Sequence, residues 1–468
     1  MKEALRPYRP DLRQSWQVAL LLIALIPLFP EYIAFALVIA AGLFGWHALR
    51  KSGEKLKIGK IGKLLLVYIA YTACSVIYSR NRLSSAATAA MWLILFVVYL
   101  VCSNLLSDTA RFDLFVMWMT AVAGVVGFIA CCQYRIAFFT HGQTTEVWKW
   151  LDNIVYQALP IKLCHVPYVL RACSTYAHPN MLSEYLTMVA PFVVYFNFHE
   201  RRKELRTFSR ICLFLTFGGV IFSFSRGGYI ALLVLLLALV VLNIRHRFAA
   251  VAMYIFGALL LIPEEVVERL LTILPNISGG SKIIEDVTSA PELTYTTTAS
   301  IINNASGDMG MDARWKIWLE AIHSFCQRPL FGAGAGVQTT WDMLTESGIP
   351  SGVHAHNLVL ELLVEGGIIA LILMLLVGFM SIKNGVELIR AGYSTAFWVG
   401  FAVLGCIMSF CLQGLVDYPL MSPKLICNFM MLIGITERVI HLYSGREIAM
   451  RRALRKRLRK KAAKPTRV

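Results

Sequence analysis

The chain is most tightly constrained by a succession of apolar stretches, near residues 15–30, 31–49, 63–79, 86–106, 112–132, 180–198, 208–224, 226–244, 248–262, 358–380, 394–415 and 423–441. A helix needs roughly 20 mostly apolar residues to cross a bilayer. Backbone in lipid must satisfy its own hydrogen bonds, which leaves helices as the solution for segments of this kind. The expected fold is therefore an all-α integral membrane protein of about 12 transmembrane helices. Composition agrees: 57% of residues are hydrophobic and 16% charged, with a mean hydropathy of +0.62, where a soluble domain carries about a quarter charged residues. The first two stretches meet at Pro30 and Glu31 and read as a helical hairpin.

Charge orients the spans. Most of the 45 lysines and arginines fall in the segments that are cytoplasmic if the N-terminus is inside, and this bias sets topology. Both termini are then cytoplasmic, and two long polar stretches, 133–179 and 263–357, face outward. The organisation expected is a membrane unit over 1–262, a large extracytoplasmic loop over 263–357 carrying short helices, spans over 358–441 and a basic cytoplasmic tail over 442–468. No cleavable signal is evident, because the first apolar stretch runs straight into the second.

The net charge of +17 does not call for nucleic acid. Its excess sits in cytoplasmic loops and in the tail, where basic residues favour an anionic leaflet, and Leu454 with Leu458 lets that tail lie as an interfacial helix. The cysteines show no metal-ligand spacing. Most lie in spans, and Cys164 with Cys173 shares one outward loop that permits a disulfide.

Within the large loop, Asp312 opens a helix in which Trp315, Trp318, Leu319, Ile322 and Phe325 recur at spacings of three and four, an apolar stripe for the membrane or a neighbouring helix. Arg314 projects off that stripe and stays available for a ligand. The run Gly332-Ala333-Gly334-Ala335-Gly336 either presents backbone N–H groups to a phosphate or is a turn between helices. No Lys-Ser/Thr follows, so it is not a nucleotide-binding P-loop.

Chemistry concentrates where polar stretches meet spans. Val353-His354-Ala355-His356-Asn357 ends the large loop just before the apolar run from Leu358, and histidine exchanges protons near neutral pH. Ser225-Arg226-Gly227-Gly228 puts an arginine, costly in a membrane without a partner, between glycines that let an anionic headgroup approach the backbone; a guanidinium fork suits a pyrophosphate. Tyr176-Ala177-His178-Pro179-Asn180 opens another span, with Pro179 suited to a first helical turn. His178, Asn180 and Glu184 are second-tier binding candidates, as are His354, Asn357, Glu361, Glu365 and Asp417. Glu361 and Glu365, four apart on one helix, either orient His356 or line a groove for a lipid carrier.

In order along the chain, His178-Pro179-Asn180, Ser225-Arg226-Gly227, Arg314 with Trp318, Arg328-Pro329-Leu330-Phe331-Gly332 and His356-Asn357 resemble the O-antigen ligase and polymerase family of bacterial membrane glycosyltransferases. The sharpest part is His356-Asn357, nine residues, Gly367, two residues and then Ala370, which stands where the family pattern has Gly, Thr or Tyr. The resemblance implies transfer of a glycan from a polyprenyl pyrophosphate carrier, undecaprenyl pyrophosphate, to a glycan or glycolipid acceptor hydroxyl at the outer face of the bacterial cytoplasmic membrane, with two arginines and a histidine at the site.

Elementary chemistry is compatible with that expectation. Cleaving a sugar–pyrophosphate bond builds negative charge that preorganised cations stabilise, a role for Arg226 and Arg314. The attacking hydroxyl loses a proton to a positioned base, a role for His356. Direct displacement inverts the anomeric centre. No outward cluster of Asp and Glu suits a divalent metal, so neither a metal nor another cofactor is expected. The alternative class is a secondary transporter or lipid-linked glycan flippase, for which related halves and polar residues at mid-membrane would be the signature.

Overall fold

A computed structural model describes residues 8–139, 171–242, 311–349, 352–391 and 394–462, and the regular elements among these residues are all helices. The helices are α1 (Ser15–Leu25), α2 (Glu31–Ser52), α3 (Lys60–Ser75), α4 (Arg82–Leu105), α5 (Thr109–Phe139), α6 (Pro179–His199), α7 (Lys203–Phe222), α8 (Arg226–Leu242), α9 (Met311–Gln327), α10 (Val337–Glu346), α11 (Leu358–Arg390), α12 (Ser394–Gly414) and α13 (Pro423–Ala462). Seven helices among the described residues are long and apolar enough to cross a membrane, namely α2, α4, α5, α7, α11, α12 and the first part of α13. Four more of the apolar stretches, those carrying α1, α3, α6 and α8, are also helical. Among these, α3 has only 16 residues, and α6 is diluted by Asn180, Ser183, Glu184 and Thr187. The stretch 248–262 and Cys164 lie outside the described residues.

The Pro30–Glu31 break does make a hairpin. A 3-10 turn over Ile26–Leu28 and Pro30 at the N-cap of α2 reverse the chain, and α1 packs back on α2. Helix α6 forms the centre. Nearly every residue from Pro179 to Asn197 is buried, because α5, α7, α8 and α12 surround it. Helices α5 and α7 cross closely enough that a Cβ on Gly127 would meet the Leu215 carbonyl oxygen at 2.2 Å, the small-residue contact typical of membrane helices. Large apolar side chains such as Leu43, Ile77, Leu93, Phe128, Leu233 and Phe379 remain exposed on the outside of the bundle, as a lipid-facing surface requires. The basic tail is not a separate interfacial helix: α13 runs unbroken from Pro423 to Ala462.

Helix α11 is broken at Gly367, whose φ of 63° and ψ of −164° leave the helical region. The break strands backbone groups of α11 that the segment after α9 takes up. Ile368 N–H donates to the Pro329 carbonyl at 2.9 Å, while Ala333 and Gly334 donate to the Val364 and Glu365 carbonyls at 2.8 and 2.9 Å. Glycine is required at 367 on two counts, its positive φ and a Leu330 oxygen that would lie 2.4 Å from any Cβ. On its other side the plug is tied to the α3–α4 turn, through Arg80 N–H to the Ala333 carbonyl at 3.1 Å and Ala335 N–H to Ser75 Oγ at 3.1 Å. The Gly-rich run is therefore neither a loose turn nor a phosphate cradle. Its N–H groups at Gly332, Ala333, Gly334 and Ala335 are all engaged within the protein.

The apolar pattern of α9 also divides differently from the expected single stripe. Ile317, Ala321 and Ser324 turn inward, whereas Trp315, Leu319 and Ile322 stay exposed. The inward face joins a small separate core of Ala321, Ala333, Met343, Ala355 and Val364. That core holds α9, α10, the glycine plug, the histidine loop and α11 together on one end of the bundle.

Candidate active site

At that end the starts of α6, α8 and α11 meet the turn between α12 and α13. Asn357 caps α11: its Oδ1 accepts from Val359 and Leu360 N–H at 2.9 and 3.1 Å, and its Nδ2 donates to the Leu415 carbonyl at 3.0 Å. The amide expected to bind substrate is thus committed at both ends to structure, as an N-cap and a tie to the α12–α13 turn. His178 likewise caps α6, its Nδ1 accepting from Asn180 N–H at 3.2 Å.

Between the two histidines, Ala355 is gripped from both sides. Its N–H donates to Glu361 Oε2 at 2.7 Å and its carbonyl accepts from Trp318 Nε1 at 3.0 Å. Glu361 is fully buried and Glu365 is 4% exposed, so neither lines an open groove. Glu361 orients the histidine loop, and Glu365 faces the N–H of Gly336. Held this way, His356 takes φ +46°, a left-handed conformation uncommon for a residue with a Cβ. Such strain persists only where the surroundings impose it, and it clusters at functional sites.

The result is a convergence on one carboxylate. His354 Nε2 and His356 Nδ1 each lie 3.2 Å from Asp417 Oδ1, and the two imidazole rings sit 3.9 Å apart. The other oxygen, Oδ2, accepts from Asn180 Nδ2 at 2.7 Å. An ionised carboxylate can only accept, so the imidazole nitrogens facing it carry hydrogens. The Nε2 of neutral His356 is left as an acceptor, on a side chain that is 18% exposed.

These groups lie outside the spans, and their protonation follows from their surroundings. Burial alone would raise the pKa of Asp417, but the hydrogen bonds from His354 and His356 outweigh it and hold the carboxyl well below the usual range. Burial pulls His356 down from the ordinary histidine value, the Asp417 bond only partly opposes this, and the charges of His354 and Arg314 add to the lowering. Burial also acts downward on His354, but the bond to Asp417 and the charges of Asp417 and Glu361 leave it raised. Adjacent histidines are thus biased in opposite directions, His356 toward the neutral base and His354 toward the cation.

The arginines border the same turn. Arg314 Nη1 donates to the Val416 carbonyl at 2.8 Å. Arg226, half-buried, opens α8 beside Gly227, where a Cβ would meet Gln413 and Val416 at 2.6 Å. Glu184 is buried on α6, about one turn below Asn180, within electrostatic reach of Asp417. His354, His356 and Asp417 form the one group among the described residues whose donor atoms cluster as a metal ion would need, all within 4.8 Å. The same atoms already satisfy one another by hydrogen bonding.

Sequence reasoning placed Asp417 among secondary binding candidates, and the structure brings it to the centre. Arg171 was not singled out at all. It is 1% exposed, and its Nη2 donates to Asn180 Oδ1 at 2.9 Å. No motif marks it; the signal available was an arginine shortly before the His-Pro-Asn run.

With this geometry in place, comparison with known proteins is informative. Residues 211–375 match the model of the O-antigen ligase family, which bears out the resemblance drawn from the motifs. The matched stretch contains Arg226, Arg314, His354, His356, Asn357, Glu361 and Glu365, while Arg171, His178, Asn180, Glu184 and Asp417 lie outside it. No curated protein matches the chain.

Proposed function

We propose that this multi-pass membrane protein, of O-antigen ligase type over residues 211–375, transfers a glycan from a polyprenyl pyrophosphate carrier to an acceptor hydroxyl at the outer face of the bacterial cytoplasmic membrane. The acceptor oxygen attacks the anomeric carbon as the bond from that carbon to the pyrophosphate oxygen breaks, so the configuration inverts. The hydroxyl proton passes to His356 Nε2. The leaving pyrophosphate takes the bonding electrons, and Arg226 and Arg314 receive its charge. Asp417 acts on His356 as an orienting carboxylate does in a hydrolase triad, holding one tautomer and stabilising the imidazolium that forms.

The observation that carries this reading is the 3.2 Å contact of His356 Nδ1 with Asp417 Oδ1, which turns Nε2 into the acceptor of a half-buried, strained histidine. The chemistry uses no metal, and transfer is expected to persist in the presence of a chelator. Helix α11 is broken as helices of transporters are, but the chain's own segment 329–334 fills that break, which disfavours the transporter alternative.

The test is glycan assembly in cells carrying His356→Ala, beside the unaltered protein and a deletion strain, with membrane levels checked. Loss of surface glycan with build-up of carrier-linked precursor is the expected result. Single repeats on the carrier indicate a polymerase and long chains a ligase. Unchanged surface glycan at normal protein level would refute the assignment of His356 as base.

A further inference from the structure

Arg171 is buried, and a buried guanidinium is retained only where its donors are used. Its Nε donates to the Ser223 carbonyl at 3.1 Å, at the end of α7, and Nη2 donates to Asn180 Oδ1 at 2.9 Å. Asn180 Nδ2 in turn donates to Asp417 Oδ2 at 2.7 Å, and Asp417 Oδ1 meets His356 Nδ1 at 3.2 Å. Four side chains from three separate parts of the chain thus form one file.

The direction of that file follows from donor counting. Arginine has donors and no acceptor, an ionised carboxylate has acceptors and no donor, and an asparagine amide has one end of each kind. Placed between Arg171 and Asp417, Asn180 has a single allowed orientation. A flipped amide would set NH₂ against guanidinium and oxygen against carboxylate. Without the arginine, only the carboxylate opposes the flip, and in the flipped amide an oxygen is aimed at Oδ2, which drives the carboxylate to rotate. Rotation takes Oδ1 away from His356.

We propose that Arg171 is a positioning residue for the transfer reaction, acting through the Asn180 amide and the Asp417 carboxylate to hold the His356 imidazole in its productive orientation. It touches neither substrate nor reacting atoms. The inference rests on the proposed role of His356 and adds a residue outside the family-matched stretch.

The test uses the full chain in membranes, with carrier-linked glycan extracted from producing cells as donor. Kinetics of Arg171→Gln, Arg171→Lys, Asp417→Asn and the double variant Arg171→Gln with Asp417→Asn are compared at equal protein level. Arg171→Gln, whose own amide can present either end to Asn180, is expected to lower kcat tenfold or more with the donor KM within twofold. Arg171→Lys, still a pure donor, should recover most of the rate. The double variant should be no slower than Asp417→Asn alone, because both act on one file. A rise in KM at constant kcat, equal loss in the Lys and Gln variants, or multiplicative losses in the double variant would each overturn the proposal. If the unaltered protein transfers nothing, the reading of function fails by itself. Thermal unfolding of the same four variants then decides the Arg171 link: non-additive Tm shifts support the file and additive shifts reject it.

Discussion

His356 and Asp417, 61 positions apart, meet at 3.2 Å through Nδ1 and Oδ1. Asp417 is in turn reached by His354 at the same distance on the same oxygen. One carboxylate therefore restrains two imidazoles, and the role of the second ring nitrogen of His356 is defined by the one that is occupied.

Replacing Asp417 by Asn preserves shape while removing the charge and allowing either tautomer at His356. Transfer is expected to fall by about 10²–10⁴ in kcat, the range a positioned base typically contributes, with the protein still present in the membrane. Initial rates at saturating donor provide the check, and a loss under threefold would mean that Asp417 does not orient the base.

The pH dependence has a defined sign. His356 must be neutral to accept a proton, and its pKa is held below the ordinary value. The acid limb of the kcat profile should therefore fall below about pH 6.5, the unperturbed histidine value. His354→Gln removes a neighbouring charge that lowers His356 and leaves the Asp417 attraction to His356 alone. The pKa of His356 then rises and the acid limb moves to higher pH. A profile that stays in place or moves the other way would contradict the coupling between the two rings.

Glu361 holds the histidine loop through one oxygen on the Ala355 N–H. Glu361→Gln keeps an acceptor there and should be tolerated in both stability and rate. Glu361→Ala leaves a buried donor unsatisfied at a cost of about 1–3 kcal/mol. Detergent-solubilised protein should show a lower Tm for Ala than for Gln, together with a larger loss of transfer. Equal effects would mean that charge, not the loop contact, is what the site needs from Glu361.

Gly367→Ala introduces a Cβ 2.4 Å from the Leu330 oxygen at a φ of +63°. The plug over residues 329–334 can no longer seat, and a strained backbone position of this kind costs on the order of 1–3 kcal/mol. The variant should unfold at lower temperature, and limited proteolysis should cut between α9 and α10. Protection equal to that of the unaltered protein would remove the plug from the account of how the site is held.

The apolar runs and the motifs were legible because each depends on nearby residues. A helix across lipid is declared by some twenty successive side chains, and His356-Asn357, Ser225-Arg226-Gly227 and His178-Pro179-Asn180 sit at helix starts, where local capping and turn chemistry show in the order of residues. The glycines at 332, 334 and 336 were legible as a special backbone, but not as a plug, because what they serve is the break at Gly367 more than thirty residues later. Trp318 read as part of an apolar stripe for the membrane or a neighbouring helix, whereas its indole N–H is spent on the Ala355 carbonyl.

By itself, then, the order of residues determined an all-helical membrane protein, a resemblance to the O-antigen ligase family that the match over residues 211–375 supports, and the arginines and histidine around which the proposed chemistry is built. Tertiary structure alone decided that Asp417 is the hub, that Glu361 and Trp318 clamp the histidine loop, and that Arg171 lines up with Asn180. The physical reason is that a hydrogen bond depends on angstroms between atoms, whatever their separation in sequence. Asn180 and Asp417 are 237 positions apart, and only the packing of α6 against α12 brings one to the other.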